Sequence, residues 1–385
     1  MKKQTLFVAF LFIIDILCIR INAVQGATFD SFTARPPIHA QTSTSASPQG
    51  LSPKEVKLAY HLGTEQGAGT IAIISAFKHP NIESDLKAFS AQFMLPSCTV
   101  ANKCLEIHAM SSSAKVDTGW SLETALDSQW AHAVAPKAKI LVVEAVSDSG
   151  TNLINAINYA RSRKDVVSIS MSWGGDEFGG ETALDKYFAS STIPFFASSG
   201  DEGSGASWPA VSPYVIAVGG TSLKTNVAGN FLSEKAWPGS GGGISAYEPE
   251  PAYQSDYDIP RTNKKRAIPD VSYAADPSYG FSVYHAPDTS STVRALVNQM
   301  FGKNWYVVGG TSAGAPQWAA IASLAAEAKK PVSLLELYKD KASATYSNFF
   351  RDITSGTNGD CVYYCVARKH FDYVTGLGSP VTDQF

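Results

Sequence analysis

The sequence lacks the charge pattern and the apolar runs that mark two large classes of protein. Its 31 Lys and Arg residues are matched by 34 Asp and Glu residues, for a formal net charge of −3, and no long basic block occurs. Binding of nucleic acid depends on clustered positive charge, so we expect no nucleic-acid partner. No long apolar run follows residue 23, which excludes several membrane-spanning helices. The 385 residues, 44% of them apolar, suit one large globular domain.

The one long apolar run lies at the N-terminus. Lys2 and Lys3 precede the apolar stretch Leu6–Leu17, and the small residue Ala23 offers a cleavage point. This order is typical of a secretory signal peptide. We therefore predict a signal peptide over residues 1–23 and a secreted protein, extracellular or periplasmic, without stable membrane association after cleavage. An uncleaved N-terminal anchor is the alternative.

Cysteine is scarce, with five residues in the whole chain. Signal cleavage would remove Cys18 and leave Cys98, Cys104, Cys361 and Cys365, an even number in two close pairs. This pattern favours disulfides in an oxidising compartment. We expect the two local pairings, and a metal site with cysteine ligands is the alternative.

The composition divides the chain into a lead-in and a folded body. Residues 24–50 are rich in Ser, Thr, Ala, Gln and Pro without an apolar period, which predicts a flexible lead-in. Over residues 51–385, short β-rich runs alternate with helical patterns, as an α/β fold with a mostly parallel sheet flanked by helices requires. The predicted strands are Thr70–Ser75, Ile140–Glu144, Val166–Ser170, Pro194–Ala197 and Val215–Val218, and the predicted helices cover residues 82–93, 121–134, 151–163 and 181–190.

One serine lies where a strand pattern gives way to a helix pattern. The β-rich run Trp305–Val308 leads into Gly-Gly-Thr-Ser-Ala-Gly-Ala-Pro, residues 309–316, and a helix pattern follows. A glycine-flanked turn at the positive end of a helix exposes the hydroxyl of Ser312 and favours negative charge nearby. Ser312 is therefore a candidate nucleophile, and a helix N-cap is its alternative role.

Three carboxylates are candidates to assist Ser312, because no histidine has the sequence context of a catalytic base. Glu123 and Asp127 are four residues apart on a predicted helix, so they project from the same face. Adjacent carboxylates repel, which raises one pKa and lets the pair share a proton; a solvated acidic face is the alternative. Asp201 follows the strand Pro194–Ala197, at the edge of the sheet where the active sites of α/β proteins form. The alternative is that its side chain only stabilises its own turn.

Further motifs accompany these residues along the chain. These motifs are Val-Ser-Ile-Ser-Met-Ser-Trp-Gly at residues 167–174, Gly-Gly-Gly-Ile-Ser at residues 241–245 and Pro-Asp-Val-Ser at residues 269–272. Taken with the sequence around Ser312, the pair Glu123 and Asp127, and Ser-Gly-Asp at Asp201, their order along residues 51–385 resembles that of the sedolisin family of serine-carboxyl peptidases. The resemblance implies a subtilisin-like fold in a single catalytic domain, with a carboxylate in place of the catalytic histidine.

The resemblance also implies a role for each candidate. Ser312 would be the nucleophile and Glu123 the general base, with Asp127 orienting and polarising Glu123. A protonated Asp201 would donate a hydrogen bond to the oxyanion. At acidic pH a histidine base would be protonated, whereas a carboxylate can still accept the serine proton. The implied substrate-binding residues, which would pair with an extended peptide as an added strand, are Ser172, Trp173 and Gly174.

A C-terminal loop resembles the calcium site of the same family. Residues 371–378, Phe-Asp-Tyr-Val-Thr-Gly-Leu-Gly, follow the dipeptide Asp-Ile at residues 352 and 353. The implied ligands of one structural Ca2+ are the carboxylates of Asp352 and Asp372 and the carbonyls of Ile353, Arg368 and His370. Arg368 and His370 stand where the family usually has glycines, and a metal-free loop tied by the C-terminal cysteine pair is the alternative.

The expected activity is hydrolysis of proteins or peptides at acidic pH by an exported, monomeric endopeptidase, through an acyl-enzyme on Ser312. Three alternatives stay open: a tripeptidyl peptidase of the same family, a catalytically dead relative that binds peptides, and a conventional subtilisin. The family usually carries a long propeptide, and 27 residues separate the predicted signal from the folded body. We therefore expect folding without a propeptide, assistance by a separate chain, or a shortened sequence.

Overall fold

The computed structural model describes residues 29–286, 302–330, 332–339 and 346–381. The predicted signal peptide lies outside these residues. Within them, no helix combines the length and the apolar character that crossing a membrane requires.

The described residues contain the strands and helices of an α/β fold. The strands are β1 His39–Ala40, β2 Thr70–Ala76, β3 Leu105–Ala109, β4 Lys139–Ala145, β5 Val166–Met171, β6 Gly175–Asp176, β7 Phe195–Ser198, β8 Ser207–Trp208, β9 Val215–Thr225, β10 Phe231–Ala236, β11 Gly243–Pro249, β12 Lys265–Ile268, β13 Val271–Ala274, β14 Phe281–Tyr284, β15 Trp305–Gly309, β16 Phe350–Arg351 and β17 Ser379–Pro380. The α-helices are α1 Pro53–Ala59, α2 Ile82–Gln92, α3 Thr118–Val134, α4 Gly150–Ser162, α5 Ala252–Tyr257, α6 Gly314–Glu327, α7 Leu334–Tyr338 and α8 Tyr346–Phe349.

A mostly parallel sheet forms the centre of the fold, as predicted. Its strands follow the order β10-β9-β7-β5-β2-β4-β3, and β13 pairs with β9. Of these neighbours, β9 and β10 run antiparallel and the other pairs run parallel. The carboxyl ends of β5 and β7 therefore point the same way, toward the edge where sites of α/β proteins form.

The two faces of the sheet are covered by different helices. In β2, Ile71 and Ile73 belong to a hydrophobic cluster with residues of α2, α3 and α6, whereas Ala72 and Ile74 belong to a second cluster with residues of α4. Alternate side chains of a strand point to opposite faces, so β2 is mostly apolar and buried over its whole length because helices cover both faces. On the first face α3 packs against α6, which brings residues of these two helices together.

One predicted helix has a different form. All five predicted strands and the other three predicted helices occur, and their bounds are close to the predicted ones except that the strand beginning at Val215 continues to Thr225. Residues 181–190 instead contain a 3-10 helix, Glu181–Tyr187, that follows Gly180 at φ +91°. The buried carboxylate of Glu181 accepts the N–H of Phe178 at 2.8 Å. A turn anchored by this side chain therefore replaces the predicted α-helix.

The lead-in is not flexible over the residues that the structure describes, which corrects the prediction for residues 29–50. Its backbone pairs with the body at several points: Thr33 bridges Ser149, Arg35 bridges Gly174, and β1 pairs with β15. Phe32 and Ala34 are buried. The segment is ordered because its N–H and C=O groups find partners on exposed strand edges while alternate side chains are buried.

Both local cysteine pairings are confirmed. Cys98 is bonded to Cys104, and Cys361 is bonded to Cys365. Each bond closes a loop of a few residues, so it ties a turn rather than joining distant parts of the chain.

Candidate active site

Ser312 lies in the connection between β15 and α6. A 3-10 turn, Thr311–Ala313, follows the strand, and the N-cap of α6 is Ala313 rather than Ser312. Ser312 is fully buried in this structure. Ser312 therefore does not cap α6, and its hydroxyl lies beside Glu123.

Glu123 and Asp127 project from α3, which packs against the turn that carries Ser312. Both carboxyl groups are 1% exposed, so they do not form the solvated acidic face of the alternative interpretation. Burial raises the pKa of Glu123 well above its usual value, the charge of Asp127 raises it further, and the adjacent Ser312 hydroxyl lowers it. Burial also raises the pKa of Asp127, to about 7. The two raised pKa values keep at least one proton on the pair below about pH 7.

Ser172 links the carboxyl pair to the serine. Its hydroxyl lies 2.7 Å from Asp127 Oδ1 and 3.2 Å from the carbonyl oxygen of Ser312. The hydrogen bond to Asp127 favours the ionised form of that carboxyl and so lowers its pKa. The next residue, Trp173, points its side chain into the core, where its ring N–H donates to the carbonyl of Ile74. Of the three predicted substrate-binding residues, Gly174 is the one whose backbone pairs with an extended segment.

Asp201 approaches Ser312 from the carboxyl end of β7. Its Oδ1 accepts hydrogen bonds from the backbone N–H and the hydroxyl of Thr311, both at 2.8 Å. Burial raises the pKa of Asp201, which extends the pH range over which this carboxyl is protonated. Thr311, which precedes the serine, was missed in the sequence because a threonine in a turn carries no distinctive signal.

A segment of the lead-in lies in the cleft beside these residues. We call residues 33–40 the cleft segment. Arg35 and Gly174 exchange two backbone hydrogen bonds, N–H to O at 2.9 and 3.1 Å, and the N–H of Ala34 donates to the carbonyl of Asp148 at 2.9 Å. The connections that follow β4 and β5 therefore hold the segment by backbone hydrogen bonds, in the manner of an added strand.

The carbonyl oxygen of Pro37 reaches the predicted oxyanion position. It accepts from the N–H of Ser312 at 3.4 Å. A β-carbon placed on Gly310, which has φ +112°, would lie 2.2 Å from this oxygen and 2.5 Å from Asp201 Oδ2. Both oxygens therefore crowd the same glycine, and any side chain at position 310 would displace them.

His39 is a site residue that the sequence reasoning missed. Its Nε2 lies 3.2 Å from Asp201 Oδ2, and this contact raises the pKa of the histidine. The lead-in was interpreted as flexible, so its histidine was set aside. Nothing local to residue 39 signals this contact, because its partner lies far away in the sequence.

The predicted calcium ligands lie around one loop. The N–H of His370 donates to both carboxylate oxygens of Asp352 at 3.0 Å, and the N–H of Arg368 donates to Asp372 Oδ2 at 3.1 Å. The carboxylates of Asp352 and Asp372, the latter 2% exposed, have the hard oxygens that calcium prefers. At residues 368 and 370 the N–H groups donate to these carboxylates, whereas the prediction uses the carbonyl oxygens of the same two residues.

A second buried group of carboxyl side chains lies away from Ser312. This acidic cluster consists of Glu177, Glu181, Asp185 and Glu248. Burial, together with the charges of neighbouring carboxylates, raises the pKa of Glu181 to about 9 and that of Glu248 to about 8. The Asp185 carboxylate accepts the Ser212 hydroxyl at 2.6 Å, and Glu177 accepts the hydroxyl of Ser245. Carboxyl groups of the cluster therefore share protons with one another.

Comparison with known proteins gives consistent matches over most of the chain. Residues 118–350 match the family described as the Subtilase family. Kumamolisin from Bacillus sp. (strain MN-32) is 30% identical over 88% of this chain and 63% of its own length, and tripeptidyl-peptidase 1 from Dictyostelium discoideum is 29% identical over 84% and 54%. A solved structure of Pseudomonas sedolisin, described as a serine-carboxyl proteinase, has 28% identity and a TM-score of 0.71 over 87% of this chain and 96% of that one. The chain thus spans less than two thirds of the length of these curated relatives. The expected subtilisin-like fold and the expected resemblance to the sedolisins are confirmed.

Proposed function

Because this chain belongs to the subtilase family and resembles the sedolisins within it, we propose that it is a serine-carboxyl endopeptidase that hydrolyses proteins and peptides at acidic pH. The observation that carries the proposal is the meeting of four side chains from separate parts of the sequence. Glu123 and Asp127 lie beside Ser312 on one side, and Asp201 lies beside the same turn on the other. Each has the chemistry that acyl transfer needs at its position.

The mechanism follows from these positions. Ser312 Oγ attacks the substrate carbonyl and gives its proton to Glu123, which passes the proton it shares with Asp127 onto that residue. The N–H of Ser312 and a protonated Asp201 stabilise the oxyanion. Glu123 then protonates the leaving amine, and water hydrolyses the acyl-enzyme by the reverse transfers. Ser172 supports the cycle, since its hydrogen bond orients Asp127.

The acidic working range rests on Asp201. This residue can donate a hydrogen bond only when it is protonated, and burial raises its pKa. Activity is therefore expected at low pH and lost as the pH rises through the pKa of Asp201. A histidine-based subtilisin behaves in the opposite way, because its base is protonated at low pH.

The cleft favours endopeptidase over tripeptidyl-peptidase activity. With the Pro37 carbonyl at Ser312, the chain continues in the N-terminal direction past Arg35 to Thr33, which bridges Ser149. More than three residues are therefore accommodated on that side. A tripeptidyl peptidase would require a closed end after the third residue, so this observation supports internal cleavage.

Secretion, a monomeric state and one structural calcium ion complete the proposal. The oxidised cysteine pairs support export. Asp352 and Asp372 would hold the ion through their carboxylates, and the ion would neutralise this buried anionic loop. Calcium would supply stability here and takes no part in the reaction.

The test is hydrolysis of a denatured protein by the purified chain and its Ser312→Ala variant across about pH 2 to 8. We expect internal fragments at acidic pH from the unsubstituted chain alone, and a loss of rate by about 10⁴-fold or more in the variant. Circular dichroism would show that the variant is folded. Release of tripeptides alone, activity that rises toward alkaline pH, or equal activity of the variant would each contradict the proposal.

A further inference from the structure

Two histidines and one aspartate are buried together beside α2. His79 lies in the connection between β2 and α2, Asp85 lies in the first turn of α2, and His285 follows β14. Their side chains are 1%, 1% and 6% exposed. Imidazole and carboxylate groups are common ligands of divalent transition metals. Three separate segments of the chain therefore bring three metal-binding side chains to one buried point.

The facing atoms of this group are spaced as the ligands of one ion. Asp85 Oδ2 lies 3.5 Å from His79 Nε2 and 3.4 Å from His285 Nδ1. Both distances exceed the about 2.7–2.9 Å of a charged N–H···O bond. Two ligands that lie about 2.1 Å from a tetrahedral ion are about 3.4 Å apart, whereas adjacent ligands of an octahedral ion at the same bond length are about 3.0 Å apart. The spacing therefore fits a tetrahedral ion.

The remaining atoms of the group can complete such a site. The two ring nitrogens and the carboxylate oxygen all lie within 4.8 Å of one another, so small rotations of the rings would close the triangle of ligands. The other oxygen of Asp85, Oδ1, is buried and has no hydrogen-bond partner among the described residues. Burial of a carboxylate is costly unless a donor or a cation compensates its charge. A bound cation would do so, with Oδ1 or a water as the fourth ligand.

Backbone groups orient these side chains from outside. The N–H of Ala286 donates to Asp85 Oδ2 at 3.2 Å, and the N–H of His79 donates to Glu144 Oε1 at 2.8 Å. Outer contacts of this kind fix the direction of metal ligands. The N–H of Asn81 lies 3.3 Å from His79 Nδ1, which favours the tautomer with its proton on Nε2. A metal at Nε2 requires the other tautomer, so loading would open this one long contact.

We propose that His79 Nε2, Asp85 and His285 Nδ1 form a binding site for one divalent transition-metal ion with tetrahedral coordination, for which Zn2+ is the expected ion. Two imidazole nitrogens disfavour calcium and magnesium, which take oxygen ligands. The ion would join the connection after β2, the helix α2 and the end of β14, and so would act on stability. The site is separate from the loop with Asp352 and Asp372, and it does not depend on the proposed function.

The first measurement is the metal content of the full chain. The purified protein is treated with a chelator, mixed with Zn2+ at pH 7 without a reductant, and separated from free metal by gel filtration. We expect one bound zinc ion per chain, and a Tm higher by about 3 °C when zinc is at about one hundred times its dissociation constant. About a hundredfold excess of Ca2+ should not displace the zinc. Absence of bound zinc, or its displacement by calcium, would overturn the proposal.

Cobalt reports the geometry of the site. Co2+ accepts the same ligands as Zn2+, and its visible absorption is strong in four-coordinate sites and weak in six-coordinate ones. We expect the strong absorption to appear in proportion to added Co2+ up to one ion per chain, and to disappear when Zn2+ is added. A weak spectrum of the six-coordinate kind would contradict a tetrahedral site.

Two histidine substitutions give a matched pair. His285→Gln removes a ligand nitrogen and should weaken zinc binding at least about tenfold and abolish the strong cobalt absorption. His61→Asn changes an exposed histidine with φ +49°, a conformation that asparagine tolerates, and should leave both unchanged. Circular dichroism before metal addition shows that each variant is folded. If His285→Gln does not fold, Asp85→Asn, which keeps the shape of the side chain, takes its place.

A third variant distinguishes this site from the proposed calcium loop. Asp352→Asn alters the loop and should keep the zinc content and the cobalt spectrum of the unsubstituted chain. Loss of zinc from Asp352→Asn, together with its retention by His285→Gln, would place the ion in the loop and overturn the proposal.

Discussion

Two groups of buried carboxyl side chains lie in this chain, and they differ in what surrounds them. Glu123 and Asp127 lie on a helix beside Ser312. Glu181 and Glu248, in the acidic cluster, are equally buried and also have raised pKa values. Glu181 accepts the N–H of Phe178, and the groups that act on Glu248 are other carboxyl groups and Arg266. Burial and a raised pKa therefore do not identify a catalytic carboxyl by themselves.

What distinguishes the first group is its neighbourhood. Around Ser312, the edge at Gly174 pairs with an extended segment, and Asp201 lies across from the carboxyl pair. A titratable group becomes a candidate for catalysis when a nucleophile, a place for the substrate and a stabiliser of charge meet it. The hydroxyls of Ser212 and Ser245 donate to carboxylates of the acidic cluster, which is expected to act on stability alone.

We expect the largest difference in activity between the two groups when a single carboxyl group of each is replaced by an amide. Glu123→Gln should lower kcat/KM by about 10³-fold, because an amide cannot accept the serine proton. The matched change Glu248→Gln should leave kcat/KM within about twofold. Steady-state kinetics at the pH optimum measures both. Similar losses in the two variants would erase the distinction between the groups.

The third carboxyl of the active site should show its role through pH rather than through rate alone. Asp201→Asn gives an amide that donates without being protonated, so the upper limit of the pH profile should move upward by about one unit or more, with a fall in kcat of about tenfold. A pH series of kcat/KM measures the shift. An unchanged upper limit would remove Asp201 as the oxyanion donor.

The acidic cluster should act on thermal stability. Glu181 has a pKa of about 9 in the folded state against a usual 4.5, and Glu248 of about 8. Because these values are raised, the stabilisation is complete below about pH 4.5 and is lost as the pH rises toward 8 to 9. We expect Tm to fall by about 5 °C or more between pH 4.5 and pH 8.

The double variant Glu181→Gln, Glu248→Gln provides the control for that shift. It should show a smaller fall in Tm over the same interval, because the amides do not titrate. Calorimetry of both proteins at pH 4.5 and pH 8 measures the difference. Equal falls would show that the cluster does not set the pH dependence of stability.

A third group of carboxylates, in the loop with Asp352 and Asp372, should give the smallest effect. Calcium at about ten times its dissociation constant should raise Tm by about 3 °C, since a ligand bound by the folded state alone stabilises it. Asp352→Asn should abolish the increase. Magnesium serves as the control cation, because it prefers a smaller octahedral site. An equal change in Tm with calcium and with magnesium would contradict a calcium-specific site.

The sequence predicted the sheet and the four candidate site residues because their signals are local. A buried strand such as Val166–Met171 is marked by the β-branched residues Val166, Val167 and Ile169, and the spacing of Glu123 and Asp127 fixes their common helix face. The order of motifs along the chain then matched one family. These features depend on neighbours within a few residues, which a sequence displays directly.

The contacts of the lead-in could not be predicted in the same way. Arg35 pairs with Gly174 and His39 contacts Asp201, more than a hundred residues away. Only the alternation of buried Phe32 and Ala34 hinted at a strand, and it is too short to stand out from a polar surrounding. The sequence also could not show that the N–H groups of Arg368 and His370 donate to Asp372 and Asp352, because residue types alone do not say which way a peptide group turns.

The order of the site residues along the chain bears on synthesis in the cell. The ribosome delivers the cleft segment first, then Glu123 and Asp127, then the edge at Gly174, and Ser312 last. Nascent chains begin to fold before they are finished, so the groove can be filled by its own polypeptide before the attacking hydroxyl exists. A product interrupted before Ser312 lacks the proposed nucleophile, whereas the complete chain has the cleft segment in place beside it. Release from the ribosome therefore delivers a chain whose cleft already holds its own polypeptide.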